Sequence, residues 1–247
     1  MSDMQQHNEH DQPIGAPVGG WTPPGPPPRA TIEGRWCRLE PLDVERHGAD
    51  LFNAVSHDSS AQNWTYLSIG PFADETSYLE WLRSVSAGPD PIFYAFIDRA
   101  SSSAVGVGAY MRISPENGCI EVGNLHFSPL MQRTAVATEA MFLMMKQVFE
   151  LGYRRYEWKC DSHNGPSRLA AQRFGFSWEG IFRQAIVYKG RNRDTAWFAM
   201  VDTEWPALCA AYERWLAPGN FDDAGQQRES LSTLTRPVLA RVDPDLA

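Results

Sequence analysis

The sequence predicts an α+β fold, a single domain built on one mixed α/β sheet with helices on both faces. Three observations predict it. The β-rich segments of the first half are joined by short turn-forming clusters, as antiparallel hairpins are; from about residue 121 strand and helix patterns alternate; and 247 residues of ordinary apolar content are enough for one full core.

The elements follow in order. Residues 1–30 are polar and then proline-dense through Trp21-Thr22-Pro23-Pro24-Gly25-Pro26-Pro27-Pro28, a composition that favours extended backbone, and they are read as an arm. Residues 34–42 form a first strand, after which Asp43 caps a helix running to about residue 56. A polar, aromatic loop with Trp64, Tyr66 and Phe72 leads to Asp74, which caps a second helix carrying Tyr78, Leu79, Trp81, Leu82 and Val85 at helical spacing. Residues 92–98 and 104–113 are strands around the turn-forming run 99–103. A strand from Glu121 to Pro129 runs straight into a helix whose stripe of Met141, Met144, Met145, Val148 and Phe149 ends at Gly152. Then come a strand at 154–160, a short helix at 166–174, strands at 176–188 and 194–202 around the turn 189–192, and a closing helix at 204–216. This bounds the domain at residues 31–217, leaving 218–247 as a polar tail in which 231–242 has apolar residues able to pack.

Composition removes several classes of function. A net charge of -8 gives no basic face for phosphates, so a nucleic-acid partner is not expected. No apolar run can cross a bilayer and no basic-flanked secretory core is present, so a cytoplasmic protein without a membrane partner is expected. Cys37, Cys119, Cys160 and Cys209 lack paired spacing and read as free thiols; Cys160 with His163 is half a metal site at best, so no metal is expected.

The join at residues 121–140 carries the most information. The first turn of a helix has backbone N–H groups without intrahelical partners and the positive end of the macrodipole, which suits a pyrophosphate. Ala135, Ala137 and Ala140 leave room for a ligand against that backbone.

Three segments then carry a resemblance. They are Gln132-Arg133-Thr134-Ala135-Val136-Ala137, falling on a Gln/Arg-x-x-Gly-x-Gly/Ala signature; Asn164-Gly165-Pro166-Ser167 leading to Arg173-Phe174-Gly175-Phe176; and the hairpin ending in Arg193-Asp194. In their order and spacing the chain, from about residue 38 to 205, resembles the GNAT superfamily of acyl-CoA N-acyltransferases, and within it the branch of ribosomal-protein N-terminal acetyltransferases. Ala135 departs from the signature's first Gly, which helical φ permits. The resemblance implies a mostly antiparallel, twisted sheet with one splayed parallel pair, and acetyl-CoA as cosubstrate. It also implies that Phe127 and Ser128 pair with the pantetheine arm, that amides from Arg133 through Thr138, with Gln132 beside them, hold the pyrophosphate, and that Asn164 contacts the arm. A homodimer is compatible with it.

Transfer to an amine needs a neutral nucleophile and a proton for the departing thiolate. An α-amino group with a pKa near 8 is about one-tenth neutral at pH 7, whereas a lysine amine is below about one in a thousand. Many relatives use a Tyr as the acid at a position held here by Ala171; Ser167 stands where the ribosomal-protein branch carries a serine in that role, and a helix-start hydrogen bond is its other reading. For the base, Glu121 ranks first by resemblance, with His126 and Asp194 as rivals on the acceptor side; Asp194 can instead pair with Arg191 or Arg193. Strict alternation separates Glu121 from His126, and a β-bulge reverses that. Trp64 and Tyr66, with Phe72, either wall the acceptor pocket or belong to the core. The function expected is an N-acetyltransferase acting on a small-molecule amine or a protein N-terminus, the alternative being a non-catalytic acyl-CoA-binding protein.

Overall fold

The computed structural model describes residues 6–246. Its sheet has eight strands. A short hairpin of β1 (Gln6–His7) and β2 (Pro13–Ile14) stands apart from it, and the main sheet is built from β3 (Ile32–Glu33), β4 (Cys37–Pro41), β5 (Ile92–Asp98), β6 (Ala104–Ser114), β7 (Cys119–Phe127), β8 (Arg155–Asp161), β10 (Arg191–Val201) and β9 (Ser177–Tyr188), in that spatial order. Every pairing is antiparallel except that of β7 with β8, joined by the crossover helix α3 (Ala135–Glu150). The predicted mixed, mostly antiparallel sheet with one parallel pair is therefore the observed one.

Alternation along the strands assigns the two faces. Tyr94 and Phe96 of β5 enter the larger core with α3, α4 (Gly165–Arg173), α5 (Trp205–Leu216) and α6 (Leu231–Thr235), while Ala95 and Ile97 enter the smaller one with α1 (Val44–Ser56) and α2 (Glu75–Ser86). Asp43 accepts from the amides of Glu45 and Arg46, and Asp74 forms a capping box with Ser77, so both helices start where a side-chain oxygen relieves their first amides. The buried Glu139 of α3 accepts from the backbone N–H groups of Arg35, Trp36 and Cys37 at 2.7–2.8 Å and fastens the start of β4 to that helix.

Both flanks touch the domain. The first five residues of the arm lie outside the described residues; further along, Trp21 Nε1 donates to Gly152 O, Tyr153 to Gly25 O and Tyr94 to Pro28 O, at 2.7–3.1 Å. Residues 218–246, read from the sequence as a polar tail, dock on α4 and β9. Trp178 N donates to Arg241 O, and the buried Arg168 guanidinium of α4 grips the fully buried Asp243 at 2.6 and 2.7 Å. Among the described residues no helix is long and apolar enough to cross a membrane.

Candidate active site

Strands β7 and β8 pair only from Cys119↔Arg155 to Val122↔Trp158, and past that point they diverge. The divergence coincides with a bulge. Val107↔His126 and Ala109↔Gly123 leave one residue of β6, Gly108, opposite both Asn124 and Leu125, and Asn124 adopts φ +50. Gly108 packs closely there: a Cβ would lie 2.6 Å from the Phe96 ring tip and 2.7 Å from a Leu125 methyl, so a larger residue would have to displace those side chains. Glu121, Gly123 and His126 oppose Met111, Ala109 and Val107, alternate residues of one strand, so they share a face. Strict alternation is thus overturned: Glu121 and His126 both face the α1–α2 side.

At the open end of β7 the chain coils tightly into α3. Met131 and Gln132 N–H groups both donate to Ser128 O, Arg133 takes φ +61, and Thr134 caps the helix through Ala137 N. Ala135 and Val136, half-buried, present N–H groups with no acceptor among the described residues. Ala137 and Thr138 are buried, and Gln132 and Arg133 are exposed. Gln132 Nε2 donates to Phe127 O at 2.8 Å and to Asn63 Oδ1 at 3.2 Å, and the buried Ser128 hydroxyl donates to Val105 O. The carbonyls of Phe127 and Ser128 thus already have partners, whereas the amides of Ala135 and Val136 have none among the described residues.

At the open end of β8, Asn164 caps α4 by accepting from Ser167 N at 3.1 Å. The Ser167 hydroxyl takes no part in that cap; its Oγ accepts from Trp158 Nε1 at 3.0 Å. Burial pushes the Cys160 thiol up to about 11. Ala171 is fully buried. Asp161 accepts from His163 N and Nδ1 and from Tyr188 OH at 2.8–2.9 Å; although burial works the other way, these bonds hold its carboxyl below the usual range.

The acceptor side has two characters. Glu121 is buried with Arg112 Nη1 at 2.6 and 2.7 Å and Lys159 Nζ at 2.7 Å, and the charges continue through Glu157 and Arg155 to Glu179. His126, by contrast, is buried against Trp64 with ring centroids 4.0 Å apart, and neither ring nitrogen has a partner among the described residues. Desolvation lowers its pKa to about 4. Trp64 also packs edge-on to Phe72 and Tyr78 and so belongs to the smaller core, while Tyr66 is half-buried. The hairpin tip reaches this core through Lys189 Nζ, which donates to Trp64 O at 2.8 Å. Asp194 pairs with neither expected arginine: Oδ1 accepts from Gln184 N at 2.7 Å and Asn192 Nδ2 at 2.9 Å, and the Gln184 bond lowers its pKa.

Sequence reasoning had not singled out Trp158, Asp161, Tyr188 or Lys189. Each acts through a contact between separate elements, from Trp158 with Ser167 nine residues on to Lys189 with Trp64, where periodicity and short motifs carry no signal. Among the described residues no three His, Cys, Asp or Glu side chains stand close enough to hold a metal ion.

Residues 37–177 match the family model described as an acetyltransferase (GNAT) domain. A GCN5-related N-acetyltransferase structure from Brucella melitensis is 52% identical, with a TM-score of 0.86 over 89% of this chain and 100% of that one. A GNAT-family structure from Chromobacterium violaceum is 46% identical, with a TM-score of 0.74 over 79% and 98%. A Salmonella typhimurium acetyltransferase that modifies the N-terminal serine of ribosomal protein L7/L12 is 20% identical, with a TM-score of 0.58 over 68% and 96%, and shares the fold.

Proposed function

As the chain belongs to the GNAT acetyltransferase family, we propose that it moves an acetyl group from acetyl-CoA to a primary amine by direct attack within a ternary complex. The observation that carries this reading is the pair of unpartnered amides at Ala135 and Val136 beside the splay, with a serine hydroxyl at the start of the neighbouring helix. Amides from Arg133 to Thr138 hold the diphosphate, with the Gln132 and Arg133 side chains at the rim. The pantetheine arm lies along Phe127 and Ser128 toward Asn164, and the thioester supplies an activated acyl carbon in the splay.

Ser167 serves the departing sulfur. His126 takes the amine's proton, because burial keeps it neutral and its nitrogens have no partner among the described residues. Glu121, first in rank by resemblance, has its carboxylate engaged by Arg112 and Lys159; it acts here by fixing the charges of the site floor. Trp64, Tyr66 and Asp194 border the acceptor. An α-amino group meets a weak base such as His126 better than a lysine amine does, because more of it is neutral near pH 7. The Salmonella protein's N-terminal serine substrate agrees with that preference. The cytoplasm, where acetyl-CoA is made and used, is the compartment this reading requires, and a homodimer is compatible with it.

Thiol release from acetyl-CoA, measured over amino acids, polyamines and short peptides, tests the proposal. Turnover with peptide amines alone assigns a protein N-terminus; turnover with small amines assigns a small-molecule acceptor. Tight acetyl-CoA binding by calorimetry with no turnover of any amine would leave a cofactor-binding protein that is not an enzyme.

A further inference from the structure

Trp158 is the last residue of β8 to pair with β7, so its side chain stands where the splay begins. Its ring is held between Phe174 and Phe176, centroids 6.0 and 5.6 Å away, and the residue is 5% exposed. The indole N–H lies 3.0 Å from Ser167 Oγ.

An indole nitrogen donates and never accepts, so at this contact the serine oxygen is the acceptor. The hydroxyl has one proton, and that proton must turn away from the ring. The cap does not claim it either, because Asn164 accepts from the backbone N–H of Ser167. Donation into a lone pair also polarises the hydroxyl, making it a better donor to whatever sulfur it meets.

We infer that Trp158 is the positioning residue for the proton donor, holding Ser167 by its oxygen so that the O–H is directed at the departing sulfur. This rests on the reading of Ser167 as that donor. As the carbon–sulfur bond breaks, the bonding pair passes to sulfur, the serine proton is delivered there, and Oγ takes a proton from water. The amine's proton leaves through His126 to solvent, so the sum is amide plus free thiol.

The test is a double-mutant cycle on the full chain, read as acetyl-CoA turnover with an acceptor from the panel above. Trp158→Phe keeps an aromatic ring and removes the N–H. It should lower kcat about tenfold, the order of one lost hydrogen bond, with the acetyl-CoA KM unchanged. Adding it to Ser167→Ala should change nothing further, because the group it positions is gone. An equal fractional loss in the Ser167→Ala background would make Trp158 a packing residue and overturn the inference, as would no loss in the single variant. If Ser167→Ala itself turns over at the wild-type rate, the reading of Ser167 falls and the inference with it; if Ser167→Ala is slow and Trp158→Phe is not, only the inference falls. Should Trp158→Phe fail to fold, 3-benzothienylalanine at position 158 preserves the ring shape without the N–H and gives the same readout.

Discussion

His126 is the residue whose environment departs furthest from what a strand histidine in water would experience. Its folded pKa, about 4, lies below the usual 6.5, so between these values the unfolded chain binds the extra proton. Stability from this group is therefore complete above about pH 6.5 and falls as pH drops toward 4. Replacing it by Phe, similar in shape and without charge, should remove that slope: between pH 7 and pH 5 the wild type should lose about 2 kcal/mol relative to His126→Phe. Urea unfolding of both proteins at the two pH values measures the difference, and equal losses would contradict it. None of this could be read from sequence. A histidine in a strand announces its type but not its burial, which depends on Trp64 arriving from a loop some sixty residues earlier.

At the scale of elements the start of α3 is the part on which cofactor affinity depends. Ala135 is half-buried and opens the helix, whereas Ala137, two residues on, is in the main core. Ala135→Glu should place a carboxylate at the unpartnered amides and reduce CoA binding by at least about a hundredfold, the size of a few kcal/mol of lost anion contacts, with the thermal midpoint nearly unchanged. Calorimetric titration with CoA checks it, and wild-type affinity would remove the helix start from the site. Here the sequence was informative: small residues after a strand, and Asp43, Asp74, Thr134 and Asn164 at helix starts, are local signals with local physical causes. The bulge was half legible. Gly123-Asn124 is a pair that tolerates positive φ, but only cross-strand register shows that the bulge brings Glu121 and His126 to one face. Ser167 was legible as a residue at the start of a helix; its indole partner was not, since a strand-to-helix contact leaves no spacing rule.

For the molecule as a whole, the flanking segments matter to the domain more than their composition suggested. Asp243 is 75 positions from Arg168, and no pattern in a polar segment indicates such a partner. Asp243→Ala should leave the buried Arg168 guanidinium with the Ser162 carbonyl and the exposed Asp245 as its partners among the described residues, destabilising the protein by about 3 kcal/mol and lowering the thermal midpoint by roughly 10 °C. Differential scanning calorimetry measures this directly, and an unchanged midpoint would show that solvent or Asp245 compensates. Because α4 offers Asn164 and Ser167 at its start and Arg168 to the docked segment, whatever steadies one end of that helix also steadies the other. Limited proteolysis of residues 218–246 should consequently report cofactor occupancy from a distance: saturating acetyl-CoA protects the segment, and clipping it weakens the hold on acetyl-CoA by the same factor.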